Sequence, residues 1–398
     1  MEKTEGIGRR DFLKSTATGL GGFAYLSASL TRPPDAPDKF EGTRMLGRTG
    51  MRLPIVSMGV MNTDNPQLVR AALDAGYVFL DTAQGYQRGT NEAMLGEILK
   101  DRPRNSFVIA TKASLPKDQA TGGYGPDATE EAYTKKIDTS LKSLRLDYVD
   151  IYHHHGTWTR EATLYEPIIS ALQKAKKAGK IRAIGVSTHR NEPAVIDAAT
   201  DSKIYDVVLT AYNFRQQHAT DVQKAIAGAA GAGLGVVAMK SMGGNVRGAY
   251  ASGQIDARAC IKWVLQDPNV HTVICGFTTF DQMTLDMSIL KDLTLTAAER
   301  ERLRKASVDA GLYCQGCGVC VGQCAQALPL PDLMRAHMYL YGYRNLVAAQ
   351  DLVLSLALPR DVCGDCSACS VGCTNRWNLR ERVRDVVRLR DVTTSFVA

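Results

Sequence analysis

Eight of the ten cysteines in this 398-residue chain fall into two runs of one spacing, Cys314-x2-Cys317-x2-Cys320-x3-Cys324 and Cys363-x2-Cys366-x2-Cys369-x3-Cys373. Three thiolates set at such intervals can wrap three corners of an iron-sulfur cubane, because short loops let the backbone curl around it; the spacing is that of 4Fe-4S ligand runs. The residues between them are mostly small, Gln315, Gly316, Gly318 and Val319 in the first run and Gly364, Asp365, Ser367 and Ala368 in the second. A zinc site needs no third cysteine at that interval, and two identical registers make an odd disulfide framework. Two 4Fe-4S clusters are therefore expected. The other two cysteines, Cys260 and Cys275, lie on a helix-like and a strand-like segment and read as buried packing residues.

A second set of reactive types stands at the ends of apolar runs. Asp81 closes FLD, Tyr86 follows in the loop TAQGY, Lys112 closes VIATK and His155 ends DIYHHH. Taken singly, these are a helix cap, a loop aromatic, a surface charge and a core histidine. The elements that would gather them are short apolar runs at 54–60, 77–81, 107–112, 148–154, 181–187, 206–212, 235–240 and 271–277, alternating with stretches of helical period that often end at glycine. Eight such units predict an α/β fold, a (β/α)8 TIM barrel over 43–293, which displays chemistry at the C-terminal strand ends. An open doubly wound sheet is the alternative, weakened because no G-x-G-x-x-G follows the first strand. After Leu293 the pattern changes to a charged helix, the first cysteine run, a mixed segment, the second run and another charged helix, so 295–398 reads as a small separate unit.

The barrel segments resemble the aldo-keto reductase family over roughly 43–290. The likeness is carried by FLDTAQGY, VIATK and LRLDYVDIYHHHG; in the last motif the family histidine stands five positions after an aspartate, here Asp150, which selects His155 over His153 and His154. The resemblance implies a catalytic set of Asp81, Tyr86, Lys112 and His155 acting on a small-molecule carbonyl substrate. Carbonyl reduction leaves negative charge on oxygen, so an acid must deliver a proton. A phenol of pKa about 10 is too weak unless a cation favours its phenolate; Lys112 would supply that cation, Asp81 would hold the lysine, and His155 would orient the carbonyl.

The same resemblance implies a nicotinamide cofactor, NAD or NADP. Ser187 fits the serine that holds the carboxamide, Thr188 stands where the family has asparagine, Leu209 where it has glutamine, and Met239 where an aromatic stacks on the nicotinamide. Lys240 and the loop SMGGN at 241–245 lie where pyrophosphate contacts are expected, with a solvated strand-end charge as the other reading of Lys240. Asp286 replaces an asparagine near the adenine end, and Gln282 stands where NADP-preferring members carry arginine.

The cysteine runs resemble those of two-cluster bacterial ferredoxins, in which the fourth cysteine of each run serves the other cluster. This implies one cluster on Cys314, Cys317, Cys320 and Cys373 and a second on Cys363, Cys366, Cys369 and Cys324, in a ferredoxin-like domain. The family follows its fourth cysteine with proline, whereas Ala325 and Thr374 stand here, which leaves ligation within each run as the other arrangement.

The N-terminus, residues 1–35, resembles a twin-arginine signal and linker: Arg9 and Arg10 precede Asp11, Phe12, Leu13 and Lys14, followed by a mildly apolar run and a proline-rich stretch. The resemblance implies the twin-arginine translocon as a partner and a periplasmic or outer-face membrane-associated location, and it suits a protein whose metal cofactors are inserted before export. At 45% hydrophobic and 22% charged the chain is an ordinary globular one, and its formal charge of +7 is spread along it, so nucleic acid is not an expected partner. Two functions follow. The first is nicotinamide-dependent interconversion of carbonyl and alcohol, with clusters in the tail. The second is an iron-sulfur electron-transfer or docking protein, working with a redox partner protein and using the barrel as a scaffold. A nicotinamide gives up two electrons together while each cluster takes one, so the clusters are either structural or serve a further step.

Overall fold

The computed structural model describes residues 42–119, 121–244, 256–308, 311–364, 366 and 369–397; the twin-arginine segment lies outside the described residues. The chain opens with an antiparallel hairpin, β1 (Thr43–Met45) and β2 (Arg52–Pro54). Eight strands follow, each on one of the apolar runs read from the sequence: β3 (Val56–Gly59), β4 (Phe79–Asp81), β5 (Val108–Ala113), β6 (Val149–His154), β7 (Ile181–Thr188), β8 (Val207–Ala211), β9 (Gly235–Met239) and β10 (Thr272–Cys275). They pair in parallel and in chain order, and β10 closes on β3. A parallel sheet covered on both faces needs apolar residues on both, which is why these segments read as continuous apolar runs.

Helices α1 (Pro66–Asp74), α2 (Thr90–Leu99), α3 (Glu130–Leu144), α4 (Arg160–Thr163), α5 (Glu166–Lys177), α6 (Glu192–Ser202), α7 (Ala219–Gly231) and α8 (Ala257–Leu265) connect the strands, and α9 (Phe280–Ser288) follows β10. On α5 the buried residues Ile168, Ile169, Ala171, Leu172 and Ala175 recur at helical spacing, and the lysines between them face water. Just past α1 and α5, Gly76 and Gly179 take φ of 102° and 76°, left-handed conformations that glycine enters without steric cost.

Inside the barrel, Phe79, Ala110, Ile151, Ala183, Val207, Leu209 and Val237 form one apolar cluster, together with Leu46, Met51 and Leu53 of the hairpin. Two residues further along each strand the same face carries the next layer toward the C-terminal mouth. That layer includes Asp81, Lys112 and His153. Strand periodicity thus accounts for Asp81 and Lys112, while Tyr86 and His155 lie in the loops after β4 and β6.

Beyond β10 the described residues contain helices and turns and no strand: α10 (Ala297–Val308), α11 (Leu330–Tyr341), α12 (Leu346–Ser355) and α13 (Leu379–Val387). Both cysteine runs lie in turn-rich segments before and after α11 and α12. This tail has its own apolar core, built from residues such as Leu330, Leu333, Met334, Val353, Leu379 and Val383. Among the described residues no helix is long and apolar enough to cross a membrane.

Candidate active site

Asp81 and Lys112 end neighbouring strands and are both buried. The Lys112 ammonium donates to Asp81 Oδ1 at 2.5 Å and to the carbonyl of Thr82 at 2.7 Å. Burial pushes Asp81 up and Lys112 down, and each opposes the other's shift by pairing. Tyr86 lies beyond this pair, with Lys112 Nζ 5.0 Å from its ring centroid. The His155 ring, from the end of β6, meets the Tyr86 ring edge-on at 6.3 Å between centroids. All four expected side chains therefore surround one mouth.

Their electrostatics differ in one respect from the expectation of a phenol made acidic by lysine. Burial raises the Tyr86 pKa well above its ordinary value, and the Asp81 charge, Tyr339 and Tyr343 add to it. With Lys112 held against Asp81, the phenol stays protonated and is poised as a proton donor. Burial, followed by Lys112, Lys117 and Arg335, holds the His155 imidazole well below its usual range, so it is neutral and can donate one hydrogen bond.

Beneath this set lies a residue that sequence reasoning passed over. His153 projects into the barrel, fully buried, against the backbone of Gly185 on the next strand; a β-carbon on Gly185 would stand 2.1 Å from His153 Nδ1 and 2.6 Å from its Cε1. The signal was a glycine inside the strand, between Ile184 and Val186, which marks a close approach. Gly185→Ala is expected to destabilise the barrel by about 1–3 kcal/mol through overpacking, read as a lower urea midpoint at unchanged m-value. An unchanged midpoint would show that the histidine ring gives way freely.

The residues expected to hold a nicotinamide dinucleotide are engaged within the protein. Ser187 Oγ accepts the amide of Gly156 at 3.0 Å, and Thr188 Oγ1 donates to the carbonyl of Arg190 at 2.8 Å. Met239 packs on the interior layer with Leu209, and Asp286 is buried on α9. Gln282 Oε1 accepts the amide of Thr278 at 2.9 Å. Lys240 Nζ lies 5.2 Å from the ring centroid of Tyr339 and 5.7 Å from that of Tyr343. A β-carbon on Gly244 would meet Met338 Sδ and Tyr313 N, each at 3.1 Å. The surface expected for pyrophosphate is thus covered by the tail, and as the chain is folded here these residues do not fit a dinucleotide. Residue 245, the last of that loop, lies outside the described residues.

Other tail contacts ring the same mouth. Arg335 of α11 donates to His189 Nδ1 at 3.3 Å, and Asn345 donates to Asn62 Oδ1 at 3.1 Å. In the loop that carries Tyr86, Gln87 and Arg88 take left-handed φ of 50° and 55°, and Arg88 reaches Asp351, Gln350 and the carbonyl of Thr394. These tail residues lay in the mixed segment, where the run of aromatics and arginines from Arg335 to Arg344 was the available signal.

The first three cysteines of one run and the last of the other, Cys314, Cys317, Cys320 and Cys373, line a single cavity with Pro331, Met334 and Trp377. Two glutamines knit the runs together: Gln323 Oε1 accepts the amide of Gly372 and Gln326 Oε1 that of Cys363, both at 2.8 Å. Burial pushes the Cys314 thiol up to about 12, and Cys320, Cys317 and Cys373 add to this. Burial likewise raises Cys363, with Cys366, Cys324 and Cys369 contributing. Among the described residues no three His, Cys, Asp or Glu side chains are grouped closely enough to hold one metal ion.

Residues 46–257, more than half of the chain, match the Aldo/keto reductase family. L-galactose dehydrogenase of Arabidopsis thaliana is 36% identical over 157 residues, covering 36% of this chain and 47% of that protein, so the match spans about half of that relative's length. L-glyceraldehyde 3-phosphate reductase of Escherichia coli K12 is 24% identical over 327 residues, covering 68% of this chain and 93% of that one. The solved aldo-keto reductase AKR11C1 from Bacillus halodurans, in its holo form, superimposes with a TM-score of 0.56 at 23% identity over 69% of this chain and 99% of its own. That likeness shows the barrel fold alone. The family match and the relatives named reductases and dehydrogenases place this chain in the aldo/keto reductase family, as an NAD(P)-dependent oxidoreductase.

Proposed function

We propose that the protein interconverts a small-molecule carbonyl and its alcohol at the barrel mouth and carries two 4Fe-4S clusters in its tail. The observation that carries the reading is the buried Asp81–Lys112 pair beneath a protonated Tyr86, faced by neutral His155. Charge developing on a carbonyl oxygen between Tyr86 and His155 would receive the phenolic proton, with the His155 N–H as second donor. Lys112 would stabilise the phenolate left behind, and Asp81 would fix the lysine. In the family a nicotinamide dinucleotide supplies the hydride, and NAD or NADP is proposed as the carrier here. The test is anaerobic turnover of an aldehyde with NADH or NADPH, compared with a Tyr86→Phe variant.

The covered mouth, together with Thr188, Leu209 and Met239, favours a second reading: an iron-sulfur electron-transfer or docking protein that uses the barrel as a scaffold for a redox partner. In that case the Tyr86 variant behaves as the parent.

The crossed cluster assignment is supported by the cavity shared between runs, in a ferredoxin-like iron-sulfur unit whose described scaffold is helical. Export through the twin-arginine pathway, to the periplasm or the outer face of the inner membrane, is proposed from Arg9 and Arg10. Changing both to lysine is expected to leave folded, iron-loaded protein in the cytoplasm, measured by fractionation. Unimpaired export would remove that assignment.

A further inference from the structure

The tail and a dinucleotide lay claim to one surface. Lys240 and the loop after it are where the family resemblance puts the pyrophosphate, yet they are in van der Waals contact with the tail. A β-carbon on Gly342 would stand 2.5 Å from the carbonyl oxygen of Gly244, and one on Gly244 would stand 3.1 Å from Met338 Sδ. Lys240 Nζ lies 5.2 and 5.7 Å from the ring centroids of Tyr339 and Tyr343, and Arg215 packs on Gly243 of the same loop, with its Cδ 2.8 Å from where a β-carbon there would stand. No phosphate can enter between backbones at that separation.

The contact is also of a separable kind. The apolar core of α11 to α13 contains no barrel residue, whereas Leu295 and Leu303 share a separate cluster with Met242, Ala257 and Cys260 of the barrel, so α10 stays on the barrel and the part that can lift is the part beyond it. The hydrogen bonds that hold that part to the barrel are mostly at the rim, Arg88 with Asp351 at 3.0 Å and Gln350 at 2.7 Å, Asn345 with Asn62 and Arg335 with His189, with one buried bond from Gln315 to the carbonyl of Arg215 at 2.9 Å.

We infer that docking of the tail and binding of a nicotinamide dinucleotide are mutually exclusive on this barrel, so that the tail sets the apparent affinity for the nucleotide. The inference rests on the NAD(P) reading above. Its arithmetic is that of a competent fraction: apparent Kd equals the intrinsic Kd divided by the fraction of molecules with the tail lifted. If a tenth or less of the molecules are open, loosening the tail tightens binding by about tenfold or more.

The test uses the full chain with its clusters loaded, titrated anaerobically with NADH and with NADPH, beside an Arg88→Ala/Asn345→Ala variant whose rim contacts are removed. The expected result is an apparent Kd at least about tenfold lower in the variant. Hydrogen exchange on the parent gives a measurement independent of that variant's folding: saturating nucleotide should raise deuterium uptake over residues 338–345. Equal affinities, or uptake that falls or stays the same on binding, would overturn the competition while leaving the NAD(P) reading intact. No binding of either nucleotide by parent or variant would overturn both.

Discussion

Tyr86→Phe is expected to lower carbonyl reduction by about 100- to 10,000-fold, the usual worth of a positioned general acid, while iron content and fold stay those of the parent. Phenylalanine keeps the ring that Lys112 approaches and His155 meets edge-on, and removes only the proton. The phenol is the one group of the set with a proton to give that it does not need for holding its own place. Lys112 is held by Asp81 and the Thr82 carbonyl, and His155 is neutral. Lys112→Met should act in the same direction but also leave Asp81 buried without its cation, so its loss of rate should come with a loss of stability. Lys174, on the outer face of α5 and paired with Glu130, is the control that should change nothing. Steady-state kinetics under conditions where chemistry limits the rate decide the matter. A Tyr86→Phe enzyme as fast as the parent would sink the acid assignment and shift attention to the clusters.

The parts of this molecule that were legible in the sequence are those governed by local pattern. Barrel strands are covered on both faces, so each announces itself as an apolar run, and all eight did. Asp81 and Lys112 could be placed because strand periodicity fixes which side chains face the axis, whereas His155 was selected over His153 and His154 only by the family resemblance, since it lies beyond the strand. The hairpin at 43–54 escaped because strands of three residues are too short to show a period. The docking of α11 escaped for a different reason. Its residues are a mixture of cations, aromatics and apolar groups, and which face meets the tail's own core and which meets Lys240 is settled by a partner far away in sequence. The electrostatic expectation for Tyr86 shifted for a related cause. Pattern can place a lysine beside a tyrosine, but burial and a shared aspartate decide what the lysine's charge is used for.

The arrangement of the cysteines can be read out by counting iron. If each fourth cysteine crosses to the other cluster, Cys317 and Cys373 serve one cubane, and alanine at either should take the chain from about eight iron atoms to about four. The double variant should still hold about four, because the second mutation removes a ligand of a cluster already lost. If ligation stays within each run, the two cysteines serve different cubanes, and the double variant should hold almost none. The geometry favours the first outcome. Cys317 and Cys373 line one cavity, Cys317 Sγ lies 3.5 Å from the hydroxyl of Thr374, and the glutamines bridging the runs bring Cys324 toward Cys363. Iron and acid-labile sulfide per chain, measured on anaerobically purified protein, give the count, and far-ultraviolet circular dichroism checks that α11 to α13 persist in each variant. A double variant with no iron and intact helices would establish ligation within each run.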